Sequence, residues 1–385
     1  MIWFVLSGFV LALGLGVFAL HLRYPELRWD WSSIDTGDVD FPADFLWGSA
    51  TAAHQVEGNM PDNNWTWWET QKDSKGRWRI HEGAKVGAAV EHFTRYKDDI
   101  RRMRDEIGLD SYRFSLAWSR IEPVEGQFNQ EALDHYSRVI DTLLEADIQP
   151  MVTLHHFTHP LWFEQKGSFE HRENLDLFVR FSETVFRRYA DRVPRWCTHN
   201  EPGPFAVMGW GLGAFPPGVR SPSRGIRVLA NLMHSHERVT NRLKSMPHGD
   251  EVEIGLVKNI FQFDPWHSWN LLHVAICKVL DEVYNESIIR SVRDGVFKIN
   301  VPKIRIEEDL PELKGATDFI GLNYYSNLLV KFSRALSPFT PLARPGQITT
   351  DFPYTTYPEG FYRAIHRIWT LNKPIIITEN GIPDN

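Results

Sequence analysis

Beyond residue 41 the chain alternates between two hydrophobic periods. Short runs dense in β-branched and aromatic residues are followed by longer segments whose apolar positions recur every three or four residues, the helical spacing. The strand-like runs are FLWGSAT (45–51), SYRFSLAW (111–118), IQPMVTL (148–154), RWCTHN (195–200), EIGLVKN (253–259), DFIGLNYY (318–325) and PIIIT (374–378). Helical periodicity fills 88–107, where Tyr96, Ile100 and Met103 are spaced by four and three, and recurs at 130–146, 174–190, 226–245, 270–293 and 358–371. Strand and helix in strict alternation imply parallel pairing through right-handed crossovers. Seven such steps without a break predict a barrel rather than an open sheet. Its site is expected at the C-terminal strand ends, where the loops 202–225 and 326–357 are long.

The first segment obeys neither period. Ile2 to Leu20 contains one polar residue, Ser7, and at about 1.5 Å per residue a helix of that length crosses a ~30 Å bilayer core. No Lys or Arg precedes it, as a secretory leader requires, while Arg23 and Arg28 follow. This flank predicts an uncleaved membrane anchor over 1–20 with the domain on the cytosolic side. Cleavage at Val17-Phe18-Ala19 and secretion is the alternative. Residues 21–40, with SSIDTGDVD, read as a polar linker, leaving 41–385 as the barrel domain.

Composition narrows the partners. A net charge of −7 with no basic run argues against nucleic acid. The two cysteines, Cys197 and Cys277, form neither a disulfide framework nor a CxxC metal site. His234 and His236 flank Ser235 on a predicted helix, which turns them to different faces and favours structural roles over a metal. No cofactor is expected, and oligomeric state is left open. Fifteen tryptophans are many for this length; most belong in a core, but Trp65, Trp67 and Trp68 are candidates to line a sugar path.

Several strand ends carry polar residues that a purely structural barrel does not need. Gln55 follows the first strand, Arg113 lies in the second, and His155 and His156 end the third. Asn200 and Glu201 end the fourth, Asn323 and Tyr325 the sixth, and Glu379 the seventh. In a parallel barrel these ends converge on one face, so Glu201 and Glu379 can oppose each other. Paired carboxylates suit glycosidic cleavage: one protonates the leaving oxygen while the other meets the positive charge developing at the anomeric carbon, and in retaining enzymes the two lie about 5–5.5 Å apart. Arg113 and Tyr325 would keep Glu379 ionised, leaving Glu201 as the acid.

The motifs FLWGSATAAHQVEG, RYKDDIRRMRDEIGLDSYRFSLAWSRIEP, VTLHHFTHPLWF, CTHNEPG, DFIGLNYYS, YPEGFYRAI and IIITENGIPD resemble, in order, the signatures of glycoside hydrolase family 1, the β-glucosidase-type (β/α)8 TIM barrels. The resemblance spans about residue 41 to the end. It implies a retaining β-glycosidase of the β-glucosidase or β-galactosidase type, with Glu201 as acid/base and Glu379 as nucleophile. By the same resemblance Gln55, His156 and Asn200 hold sugar hydroxyls, and Arg113, Asn323 and Tyr325 orient the nucleophile. His155 is expected to be a structural partner, and His199 to pack behind the strand.

Three departures accompany it. Phe157 stands where the family commonly has Trp, and His54 where it has Tyr or Phe. The family's eighth βα unit, which brings a Trp platform and a Glu-Trp pair, has no counterpart after Glu379. A barrel truncated after strand seven leaves two strand edges unpaired, so weak or no turnover is expected of this chain alone. The apolar N-terminus, HHFTHPLW and the stretch after KNIFQFDP are similar to the membrane-anchored galactolipid galactosyltransferase branch. Glycolipid transglycosylation is therefore the alternative reading, and a sugar- or partner-binding barrel without catalysis is a third.

Overall fold

The barrel is built by seven short parallel strands whose apolar side chains meet in the middle. The computed structural model describes residues 2–23, 37, 40–333, 340–352 and 354–382. Strands β1 (Gly48–Ala50), β2 (Ser111–Ser115), β3 (Gln149–His155), β4 (Arg195–Asn200), β5 (Glu253–Asn259), β6 (Phe319–Asn323) and β7 (Ile375–Glu379) form one sheet in chain order. All its pairings are parallel. β1 and β7 are its terminal strands and are not paired with each other.

Met151, Cys197, Val257 and Phe319 fill the interior, with Ile376 against them. Gly255 is required there, because a Cβ would sit 2.5 Å from the Phe319 ring. Outside the strands run α2 (His92–Arg102), α3 (Gln130–Glu145), α4 (Leu175–Tyr189), α5 (Pro222–Lys244), α6 (Leu271–Asp281), α7 (Ser287–Asp294) and α8 (Pro358–Trp369), after the N-terminal α1 (Ile2–Arg23). Their apolar stripes follow the helical period: α3 buries Leu133, Tyr136, Val139, Ile140 and Leu143, and Asn129 caps it by accepting from the Ala132 amide at 3.2 Å. Much of the tryptophan content is core. Trp118 is fully buried, with ring centroids 4.8 Å from Phe181 and 4.7 Å from Phe163.

Differences from the sequence expectation are local. β1 keeps only three of the seven residues expected. The single helix expected over 270–293 is two helices joined by a π-helical segment, Glu282–Glu286. An antiparallel hairpin, Val296–Val301 with Ile304–Asp309, and a two-stranded parallel sheet, Gln262–Pro265 with Asn327–Val330, were not anticipated. The expected loop 202–225 contains the short helix Pro202–Ala206, and α5 begins at Pro222. The expected linker 21–40 lies largely outside the described residues, as does Arg28.

Candidate active site

Both carboxylate-bearing strand ends depart from regular pairing. In β4 the register shifts between Cys197 and Asn200, and in β7 between Ile377 and Glu379. Such irregularities re-aim side chains at barrel rims. Glu201 then takes a left-handed backbone, φ 47° and ψ 69°, before Pro202 starts the next helix. That conformation is uncommon outside glycine and strains the chain where the carboxyl must point inward.

Asn323 joins the two acids. It is fully buried and lies opposite Glu379 in the β6–β7 ladder, and its amide donates to Glu201 Oε1 at 2.7 Å. Thr378 Oγ1 donates to its Oδ1 at 2.6 Å, fixing the amide. Glu379 Oε1 accepts from Arg113 Nη2, and its Oε2 accepts from the Tyr325 hydroxyl at 2.5 Å. Arg113 is only 3 % exposed and donates also to Thr153 Oγ1 (3.1 Å) and Asn200 Oδ1 (3.2 Å). Asn200 donates in turn to His156 Nε2 at 3.1 Å. That bond puts the neutral ring's proton on Nδ1, a buried atom without a partner among the described residues.

The two carboxyls are pushed in opposite directions. Burial and the charge of Glu379 raise Glu201 to about 7, against smaller opposing pulls from Asn323, Asn259 and Lys258. Burial also works to raise Glu379, but Arg113, His156 and the Tyr325 hydroxyl outweigh it and hold that carboxyl below its ordinary value. Burial lowers His156 to about 4, so the ring is neutral near pH 7. At neutral pH the site therefore holds one anion, one carboxyl at its titration midpoint and one neutral imidazole.

Of the residues singled out from sequence, Arg113, His156, Asn200, Glu201, Asn323, Tyr325 and Glu379 form this one connected cluster. Gln55 lies on the helical turn Ala53–Val56 after β1, with its side chain exposed. His155 is buried against His159 (3.3 Å), and His199 bonds Ser235 on α5 at 3.0 Å, so both pack behind the strands. His234 pairs with Glu308, and His236 lies between Thr198 and Thr317. Trp65 donates to the Phe157 carbonyl, while Trp68 is buried. Sequence reasoning missed Thr378, Thr153, Asn259 and Lys258. The last two sat in plain view as a polar pair ending the apolar run IGLV.

The match to known proteins agrees with this arrangement. Residues 38–385 match the model of Glycosyl hydrolase family 1. The chain belongs to that family. Among similar proteins, beta-glucosidase A of Thermotoga maritima is 33% identical over 364 residues, covering 89% of this chain and 78% of its own length. Beta-glucosidase A of Acetivibrio thermocellus is 32% identical, with 89% and 79% covered. The solved family 1 β-glucosidase from Thermotoga maritima superposes with a TM-score of 0.80 at 30% identity, covering 90% of this chain and 79% of that one. The chain is thus a glycoside hydrolase with the family's barrel, and retaining β-glycosidase chemistry is its family-level function.

The raised Glu201 predicts a stability cost. Its folded value of about 7 exceeds the ordinary 4.5, so the contribution to stability is complete below about pH 4.5 and lost as pH rises through 7. At pH 8 the loss is on the order of 3 kcal/mol. Glu201→Gln should abolish it: urea unfolding is expected to find the variant more stable than wild type at pH 8 and equal to it near pH 4. An equal gap at both values contradicts the assignment.

Proposed function

We propose that Glu379 is the nucleophile and Glu201 the acid/base of a retaining β-glycosidase, acting on β-glucosides or β-galactosides. The observation that carries this reading is the opposed ionisation of two carboxyls bonded to one buried frame. Ionised Glu379, steered by Arg113 and Tyr325, attacks the anomeric carbon as Glu201 gives its proton to the departing glycosidic oxygen. A covalent glycosyl-enzyme results. With Glu379 now esterified and uncharged, Glu201 loses the anion that raised it and stays ionised. It then accepts a proton from the water that attacks the same carbon, and the bond to Glu379 breaks with overall retention.

We read His156 Nδ1–H, Asn200 and Gln55 as the groups that hold sugar hydroxyls. Phe157, half-buried between His156 and Phe205, presents an apolar edge where an indole would donate.

We also read α1 as a membrane anchor. Among the described residues it is the one helix long and apolar enough to cross a bilayer, with mean hydropathy 2.3, and none of its apolar window is covered by the domain. A cytosolic domain follows from the basic flank. Such an anchor brings the site to a lipid surface, which favours glycolipid as an acceptor or donor, the second reading.

Two outcomes test these assignments. Glu379→Ala should lose turnover of an aryl β-glucoside by several orders of magnitude. Azide should restore cleavage and give the α-glycosyl azide, because the anion enters from the face that the carboxylate left. Retained turnover, or a β-azide, contradicts the nucleophile. The protein should stay in the membrane pellet after alkaline carbonate washing and, once solubilised, release free sugar from the aryl glucoside. Release into the wash removes the anchor, and oligogalactolipid products in place of free sugar, when the solubilised protein is incubated with galactolipid as well, favour the transferase reading.

A further inference from the structure

At the end of β5, the strand paired with the one that leads to the acid, lies a buried cation that the reaction as described does not use. Lys258, next to last in β5, is 2 % exposed. Its ammonium donates to Asn285 Oδ1 at 3.1 Å and to the Asn259 carbonyl, and lies 4.6 Å from the centre of the Tyr284 ring. Among the described residues no carboxylate is within ion-pairing distance of it. A buried charge compensated only by carbonyls and a ring face is costly to hold.

The adjoining residues lead to the acid. The Glu201 amide donates to the Val257 carbonyl at 3.0 Å, which sets the acid alongside the end of β5, and Asn259 Oδ1 accepts from the Tyr284 hydroxyl at 2.9 Å. Tyr284 and Asn285 both come from the π-helical segment Glu282–Glu286, whose extra residue per turn directs two successive side chains at the end of β5. Asn285 is itself fixed by donating to Asp281 Oδ1 (2.8 Å) and the Phe261 carbonyl (2.9 Å). Asp281 is committed to Arg367 by bonds of 2.5 and 2.9 Å.

We propose that Lys258 is a positioning residue for Glu201: a buried ammonium that, lacking a carboxylate of its own, favours the ionised acid/base in the second half of the reaction. This rests on the assignment of Glu201 as acid/base. When Glu379 is esterified, the negative charge of the site moves to Glu201, and the charge of Lys258 favours that ionised form. The groups facing the pair are Glu379 on β7, Tyr325 and Tyr354 after β6, Tyr284 in the π segment, Asp281 on α6 and Arg367 on α8. Burial and Arg367 lower the ammonium to about 7, while Glu201 and Asp281 pull it up, so the two groups titrate in the same range.

The test uses the full chain in detergent with Lys258→Met and Lys258→Gln, which share only the loss of charge, and Lys258→Arg, which restores it. Carboxyl carbon NMR, with the Glu201 signal assigned by its absence in Glu201→Gln, should show Glu201 titrating at higher pH in both neutral variants. With a dinitrophenyl glycoside, whose leaving group needs no proton, kcat should fall about tenfold while kcat/KM changes little, because only hydrolysis of the glycosyl-enzyme is slowed. Lys258→Arg should recover kcat. An unmoved Glu201 titration, or kcat and kcat/KM falling together, overturns the proposal. Because the NMR reading needs no turnover, a moved Glu201 in protein without glycosidase activity overturns the catalytic reading instead.

Discussion

Arg113 reaches Glu379 from inside the barrel, and this buried ion pair decides which of two neighbouring carboxyls carries charge. Two ionised carboxylates about 5.5 Å apart repel by roughly 3 kcal/mol at an effective dielectric constant near 20, equivalent to about two pK units. That repulsion, added to burial, is the scale of the rise of Glu201 to about 7. Remove the guanidinium and burial would raise Glu379 as well, leaving the site without a committed anion. The second strand thus matters less for its apolar packing than for delivering one cation to the centre of the rim.

The same constraint explains why the strand ends are irregular. A regular ladder alternates side chains between barrel interior and helix layer. Placing Asn200 and Glu201 both toward the substrate side requires the register shift in β4 and the left-handed turn after it. The corresponding shift in β7 turns Glu379 toward Arg113 and Tyr325. The left-handed backbone at Glu201 places strain at the acid itself, and the helices and aromatic core supply the stability that tolerates it.

The barrel was legible because its signal is periodic and repeated: five of the seven strands end within one residue of the apolar run that foretold them. The hairpin and the small parallel sheet were not, since their strands are four to six residues long and paired away from the main sheet, beyond what local alternation encodes. The π segment was hidden because its residues keep an apolar stripe on either side of the inserted turn. In the site, Glu201, Glu379 and their ring of partners could be named because each stands in a distinctive motif, all but the mid-strand Arg113 at or just past a strand end. Lys258 escaped for the opposite reason. A lysine at the edge of a loop is ordinarily solvated, and only the packing of Tyr284 and Asn285 over it reveals burial.

The account's central claim is that Glu379 becomes covalently bonded to the sugar while Glu201 does not. A 2-deoxy-2-fluoro β-glucoside with a dinitrophenolate leaving group forms the glycosyl-enzyme quickly and hydrolyses it slowly, because the fluorine destabilises positive charge at the anomeric carbon. Mass spectrometry of the protease-digested protein should then find one fluoroglucosyl group on the peptide that contains Glu379, and none in Glu379→Ala. A sugar attached to any other residue, or dinitrophenolate released in a stoichiometric burst with no adduct on the protein, would contradict the account.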